Sequence, residues 1–72
     1  MKLAISCVSG KKGLDKVVLP VVVNAELLYE GCYQVYSEEF RGYGIKEWYP
    51  EANQGRGLLY SFYDDSDYKI IL

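Results

Sequence analysis

Residues 2–8 alternate in character. Leu3, Ile5 and Cys7 point one way, and Ala4, Ser6 and Val8 point the other. A period of two with one apolar face predicts a strand, because successive side chains of an extended chain leave on opposite sides. Ser9-Gly10-Lys11-Lys12-Gly13 then predicts a solvated loop, from its two glycines and two lysines. Residues 16–23 hold the most apolar run, Val17-Val18-Leu19-Pro20-Val21-Val22-Val23. Its five valines are stiff at χ1 and suit a pleated surface, so a second strand is expected. Pro20 has no N–H for a ladder, which puts that strand at an edge, gives it a bulge or splits it there. Together the two runs predict a hairpin with a long loop.

Asn24-Ala25-Glu26 has the character of a helix start: a capping side chain, a good helix former and an acid in the first turn. Leu28, Cys32, Val35 and Tyr36 follow at i, i+4, i+7 and i+8, which describes one helical face. Gly31 opposes a helix by about 1 kcal/mol, and Cys32-Tyr33-Gln34-Val35-Tyr36 also reads as a strand. The pattern over residues 24–40 is weighed as a helix. Residues 41–44 turn the chain, and residues 45–49 predict a short strand stopped by Pro50. A polar loop with Gly55 and Gly57 follows, and residues 57–63 resume strand character. Asp64-Asp65-Ser66-Asp67 is a turn, because short acids and serine bond their own backbone. Residues 68–72 close as a strand. The expected architecture is α+β, one compact domain over residues 1–72, with one helix on an antiparallel sheet of about four strands. An all-β, SH3-like small barrel is the alternative, which hinges on residues 24–40.

Composition changes the functional picture more than the structural one. There are eight tyrosines among 72 residues and no histidine. Tyrosine carries a large apolar ring with a polar tip, which suits surfaces that are wet alone and dry when bound. A chain without histidine has no imidazole base, metal ligand or pH switch. A domain this short buries only about 60% of its unfolded surface, so some rings must stay exposed. A second copy could cover apolar surface that one copy leaves wet, which makes a homodimer plausible. Eight basic and ten acidic residues give a net charge of −2, without the basic footprint of a strong nucleic-acid binder. No apolar run approaches the roughly 18 residues of a membrane span. The apolar stretch in residues 1–7 is shorter than an export signal's core of about 7–15 residues. A cytoplasmic protein, or one made in a host cell's cytoplasm, is expected, with Cys7 and Cys32 reduced and packed.

Chemistry has few places to reside. Cys7 and Cys32 have no histidine to activate them, and 24 intervening residues do not make a zinc pattern. Ser6 or Ser9 beside Lys11 or Lys12 lies in a glycine loop, a poor setting for lowering a lysine pKa by burial. Asp64, Asp65 and Asp67 lack the spacing of a calcium loop. The segment Ser9-Gly10-Lys11-Lys12-Gly13 only weakly suggests an anion cradle, since no P-loop signature follows. No catalytic residue, metal site or cofactor is therefore assigned, and the chain is not expected to be an enzyme.

Met1-Lys2-Leu3-Ala4-Ile5, Gly13-Leu14-Asp15 and Val17 resemble the start of the dinitrogenase iron–molybdenum cofactor biosynthesis family. Pro50-Glu51-Ala52-Asn53 with Gly55 and Gly57 resembles its later glycine-rich segment. That resemblance implies an α/β cofactor-carrier domain. The family's His-Phe-Gly-Arg stretch has no counterpart here, where Tyr29-Glu30-Gly31-Cys32 stands instead. A second alternative is a module for single-stranded nucleic acid. Bases would stack on Tyr43, Trp48 and Tyr49, with Arg41, Lys46 and Arg56 on phosphates. Glu38, Glu39, Glu47 and Glu51 in the same stretch oppose it.

The favoured reading is a small, acidic, non-catalytic protein that docks onto a larger protein or nucleoprotein. An inhibitor or accessory factor of phage or mobile-element type fits its size. Tyrosine, tryptophan and arginine dominate binding hot spots. Tyr43, Trp48, Tyr49 and Arg56 are the expected anchors, with Glu47 and Asp65 at the rim.

Overall fold

The alternation in residues 2–8 does produce a strand, and it becomes the centre of a sheet. A computed structural model describes residues 1–72. Six strands are present: β1 (Lys2–Ile5), β2 (Val21–Asn24), β3 (Glu26–Tyr29), β4 (Cys32–Tyr36), β5 (Leu59–Phe62) and β6 (Tyr68–Ile71). They form two three-stranded antiparallel sheets, in the orders β2-β1-β6 and β3-β4-β5. Leu3 pairs with Val23 and Ile70, and Ile5 with Val21 and Tyr68. In the second sheet Tyr33 pairs with Phe62 and Val35 with Tyr60. The inward-facing residues of both sheets make one core, completed by Leu14, Val17, Ala25 and Phe40 from the connections. Ala25 alone separates β2 from β3, so one run of chain leaves the first sheet and enters the second. The Ala25 amide is satisfied at this corner by the Met1 carbonyl at 2.8 Å.

The helix expected over residues 24–40 does not form, and the α+β architecture is corrected to an all-strand one. Asn24 caps no helix: its backbone N–H and its side-chain amide both donate to Glu39 Oε1. Gly31 sits at φ +87, a left-handed conformation that glycine adopts without steric cost, and turns β3 back into β4. From there the period is two. Tyr33 and Val35 are buried, whereas Gln34 and Tyr36 are half-exposed. Ser37–Phe40 is a single 3-10 turn that drops Phe40 into the core.

Other boundaries shift for local reasons. β1 stops at Ile5 because the Ser6 and Cys7 amides both donate to the Asp67 carbonyl. β2 begins only after Pro20, which has no N–H to offer a ladder. The strand expected at 45–49 is absent; Lys46 N–H instead donates to the Gly13 carbonyl at 3.0 Å, tying two loops together. The turn at 64–67 is present, and the Asp64 carboxylate accepts from the Ser66 amide and hydroxyl. Cys7 and Cys32 are both free thiols. No helix is long and apolar enough to cross a membrane.

Candidate functional site

The aromatic side chains can be accounted for one by one. Lys11 lies over Phe62, Lys12 over Tyr49, Arg41 over Trp48 and Arg56 over Tyr36, at 4.9, 5.3, 4.4 and 3.8 Å from the ring centroids. Such stacks are worth about 0.5–1 kcal/mol each at exposed sites. Tyr33 meets Tyr68 edge to face, and Phe40 meets Tyr60 the same way. Only Tyr29, Tyr43 and Tyr63 remain outside these pairings, and all three are exposed.

The long connection from β4 to β5 carries Glu47, Trp48, Tyr49, Pro50 and Glu51, which line an open recess of about 360 Å³. This loop is irregular but pinned. The Ser37 hydroxyl donates to the Trp48 carbonyl and accepts from the Leu58 amide at 3.0 Å. Gly57, at φ +86, leaves no room for a Cβ, because the Trp48 carbonyl and Ser37 Oγ occupy that space. The Ala52 amide donates to the Tyr49 carbonyl at 3.1 Å, and the Gly57 amide to the Ala52 carbonyl at 3.0 Å. Tyr49 itself sits at φ 56, so its ring leaves the loop in a direction an extended backbone would not allow.

The recess mixes both charges. Arg41 and Lys12 cover one face of Trp48 and Tyr49, while Glu47 and Glu51 line the opening. The Glu47 carboxylate beside the Tyr49 phenol favours its protonated form and pushes its pKa up to about 12. A protonated phenol, two ring faces and two carboxylates can make apolar, hydrogen-bonding and ionic contacts at once. They include no activated nucleophile.

The structure brings together Glu47, Trp48 and Tyr49 from the expected set. Arg56 precedes Gly57 and so belongs to the same connection, but its guanidinium is engaged elsewhere. It stacks on Tyr36, bonds Glu38 Oε1 at 3.1 Å and reaches Glu26 Oε1 at 3.5 Å. Tyr43 stands apart, with its carbonyl accepting from the Val18 amide at 3.0 Å. Asp65 lies in the β5–β6 turn, near Tyr68, whose hydroxyl reaches the Gly31 carbonyl at 3.4 Å. That is the opposite end of β4 from Ser37 and Trp48. Sequence reasoning missed Lys12 and Arg41 as ring partners in this recess, and no local pattern links them to Tyr49 and Trp48. It also missed the exposed pair Tyr29 and Tyr63; each immediately precedes an acid at a turn between strands, which was the available signal.

The weaker chemical readings meet specific geometry. Lys11 and Lys12 fold back onto rings instead of framing an anion cradle. Asp64 spends its carboxylate on Ser66, which holds it below the usual carboxylate range. Cys32 is buried at 2% exposure. No family model, curated protein or solved structure matches this chain. The α/β carrier fold implied by the resemblance to the cofactor biosynthesis family is replaced here by an all-strand one.

Proposed function

We propose that this chain is a non-catalytic binding module that docks onto a larger protein through the loop carrying Trp48, Tyr49 and Pro50. The observation that carries the reading is the recess of residues 47–51, held against the strand core by Ser37, Gly13 and Gly57. A contact loop ordered before binding loses less conformational entropy on association, which favours affinity. Trp48, Tyr49 and Arg41 are residue types that supply most interface energy, and Glu47 and Glu51 supply a polar rim. An inhibitor or accessory factor, of the kind phages and mobile elements encode, is the role that suits such a module.

The test is affinity capture from the native host with three baits: the unaltered chain, Trp48→Ala/Tyr49→Ala and Glu51→Ala. A defined protein should be retained by the first and third and lost by the second. Removing a central aromatic anchor should cost about 2 kcal/mol or more, against a few tenths for a rim acid. Equal retention on all three baits refutes the reading. Tight binding of a single-stranded oligonucleotide that weakens steeply with salt would replace the protein partner with nucleic acid.

A further inference from the structure

Tyr43 aside, Tyr29 and Tyr63 are the rings for which the fold supplies no stacking partner. They are 63% and 71% exposed, and no lysine or arginine of this chain covers either. They are also neighbours. Tyr29 pairs with Cys32 in the β3–β4 ladder, and the β4–β5 register, carried one step past Tyr33 and Phe62, sets Tyr63 opposite Cys32. The two rings thus flank one residue on the outer face of the second sheet.

The charge around them has one sign. Glu30, Asp64 and Asp65 are exposed, and the ion pairs of this chain are confined to Arg56 with Glu26 and Glu38. Lys11 approaches β5 but turns onto Phe62, whose ring faces the core. Lys69 lies in the other sheet, opposite Ala4.

β3 adds the third element. It is the outermost strand of its sheet, all four of its residues are exposed, and its backbone makes no hydrogen bond outside the ladder with β4. Leu27 and Leu28 are 60% and 52% exposed. A free strand edge with apolar side chains is a template for another extended chain.

We infer that the β3 edge and the Tyr29–Tyr63 pair form a second docking surface, separate from the 47–51 loop, for an extended lysine- or arginine-bearing segment of a partner protein. The segment adds as a strand to β3, and its cations lie over the two rings among Glu30, Asp64 and Asp65. The chemistry is that of the rings already stacked under lysine or arginine in this chain, with the cation supplied from outside. A second copy of this chain is the poorer occupant. Pairing β3 with its own mate crowds Glu26 and Glu30 of both copies into one ladder, and like charges brought opposite each other repel.

The experiment is an NMR titration of the ¹⁵N-labelled full chain with a synthetic peptide alternating lysine and valine, and with its glutamate counterpart. Amide shifts should concentrate on residues 26–32 and 61–66, and binding should weaken as salt rises. The exposed substitutions Tyr29→Leu and Tyr63→Leu should each weaken binding about three- to fivefold while leaving the spectrum dispersed. Glu30→Gln with Asp65→Asn should weaken it further, and Trp48→Ala/Tyr49→Ala should leave it unchanged. That last arm separates this surface from the loop, so either can fail alone. The inference is overturned by the absence of shifts at millimolar peptide, by shifts centred on residues 47–51, by equal binding of the glutamate peptide, or by indifference to the leucine substitutions. Light scattering that showed a dimer broken by Tyr29→Leu would overturn it in favour of self-association.

Discussion

Ser37→Ala tests the junction between the strand core and the contact loop. The Ser37 side chain is fully buried, at 0% exposure. Its hydroxyl donates to the Trp48 carbonyl and accepts from the Leu58 amide. Alanine fits the same space but leaves both backbone groups unpaired. A buried polar group stripped of its partner costs about 1–3 kcal/mol. Trp48 and Leu58 are half-buried, so water recovers part of the loss. A net cost of about 2–3 kcal/mol follows. For a domain of this size about 1 kcal/mol moves the melting temperature by roughly 4–8 °C, so Tm should fall by about 10–20 °C. The chain has a single tryptophan, Trp48 itself, so fluorescence follows the loop while far-ultraviolet circular dichroism follows the strands. Ser61→Ala is the control: Ser61 faces outward from β5, and its hydroxyl bonds no protein group. That change should stay within about 0.5 kcal/mol. If Ser37→Ala melts no earlier than Ser61→Ala, the hydroxyl does not hold the loop and the argument for a preordered recess fails.

Glycine supplies a second test of the same junction. Gly57→Ala should destabilise by more than about 3 kcal/mol, since strain at positive φ adds to collision with Ser37 and the Trp48 carbonyl. Gly10→Ala, at φ +78 in open space, should cost only about 1 kcal/mol on thermal melting. Ultraviolet titration should find one tyrosine ionising near pH 12, returning toward the ordinary value in Glu47→Gln. Because that folded-state pKa lies above the unfolded one, the associated stability is present below about pH 10 and is lost as pH rises through about 12. Asp64 has the opposite sign. Its lowered pKa contributes stability above the unfolded value, about 4, that disappears as pH falls through the folded one. The melting temperature of Asp64→Asn should therefore decline less between about pH 5 and pH 2 than that of the unaltered chain. Arg56→Lys keeps the charge but loses the planar stack on Tyr36, and should cost about 0.5–1 kcal/mol by urea denaturation.

The legible parts of the fold were those decided within a few residues. Alternation marked Leu3 and Ile5 as inward, Asp64 and Ser66 marked a turn through their own short side chains, and Pro20 marked where β2 could not begin. Residues 24–40 were not legible, because Leu28, Cys32, Val35 and Tyr36 satisfy a helical period while 32–36 satisfies a strand. The choice came from distant partners: Phe62 opposite Tyr33 and Tyr60 opposite Val35 give the extended form a buried face. The site divides the same way. Glu47, Trp48 and Tyr49 were bound to cluster because they are consecutive. Arg56 and Asp65 separated because one guanidinium found Tyr36 and Glu38, and because β4 lies between the turn at 64–67 and the loop.

Local chemistry, written in residue order, determined the turns, the strand faces, the want of an imidazole and the excess of aromatic rings. Tertiary structure alone decided which rings that excess would leave uncovered. A cation reaches Tyr36, Tyr49 and Trp48 only after the chain has folded back on itself, so the isolation of Tyr29 and Tyr63 is a property of the assembled sheets.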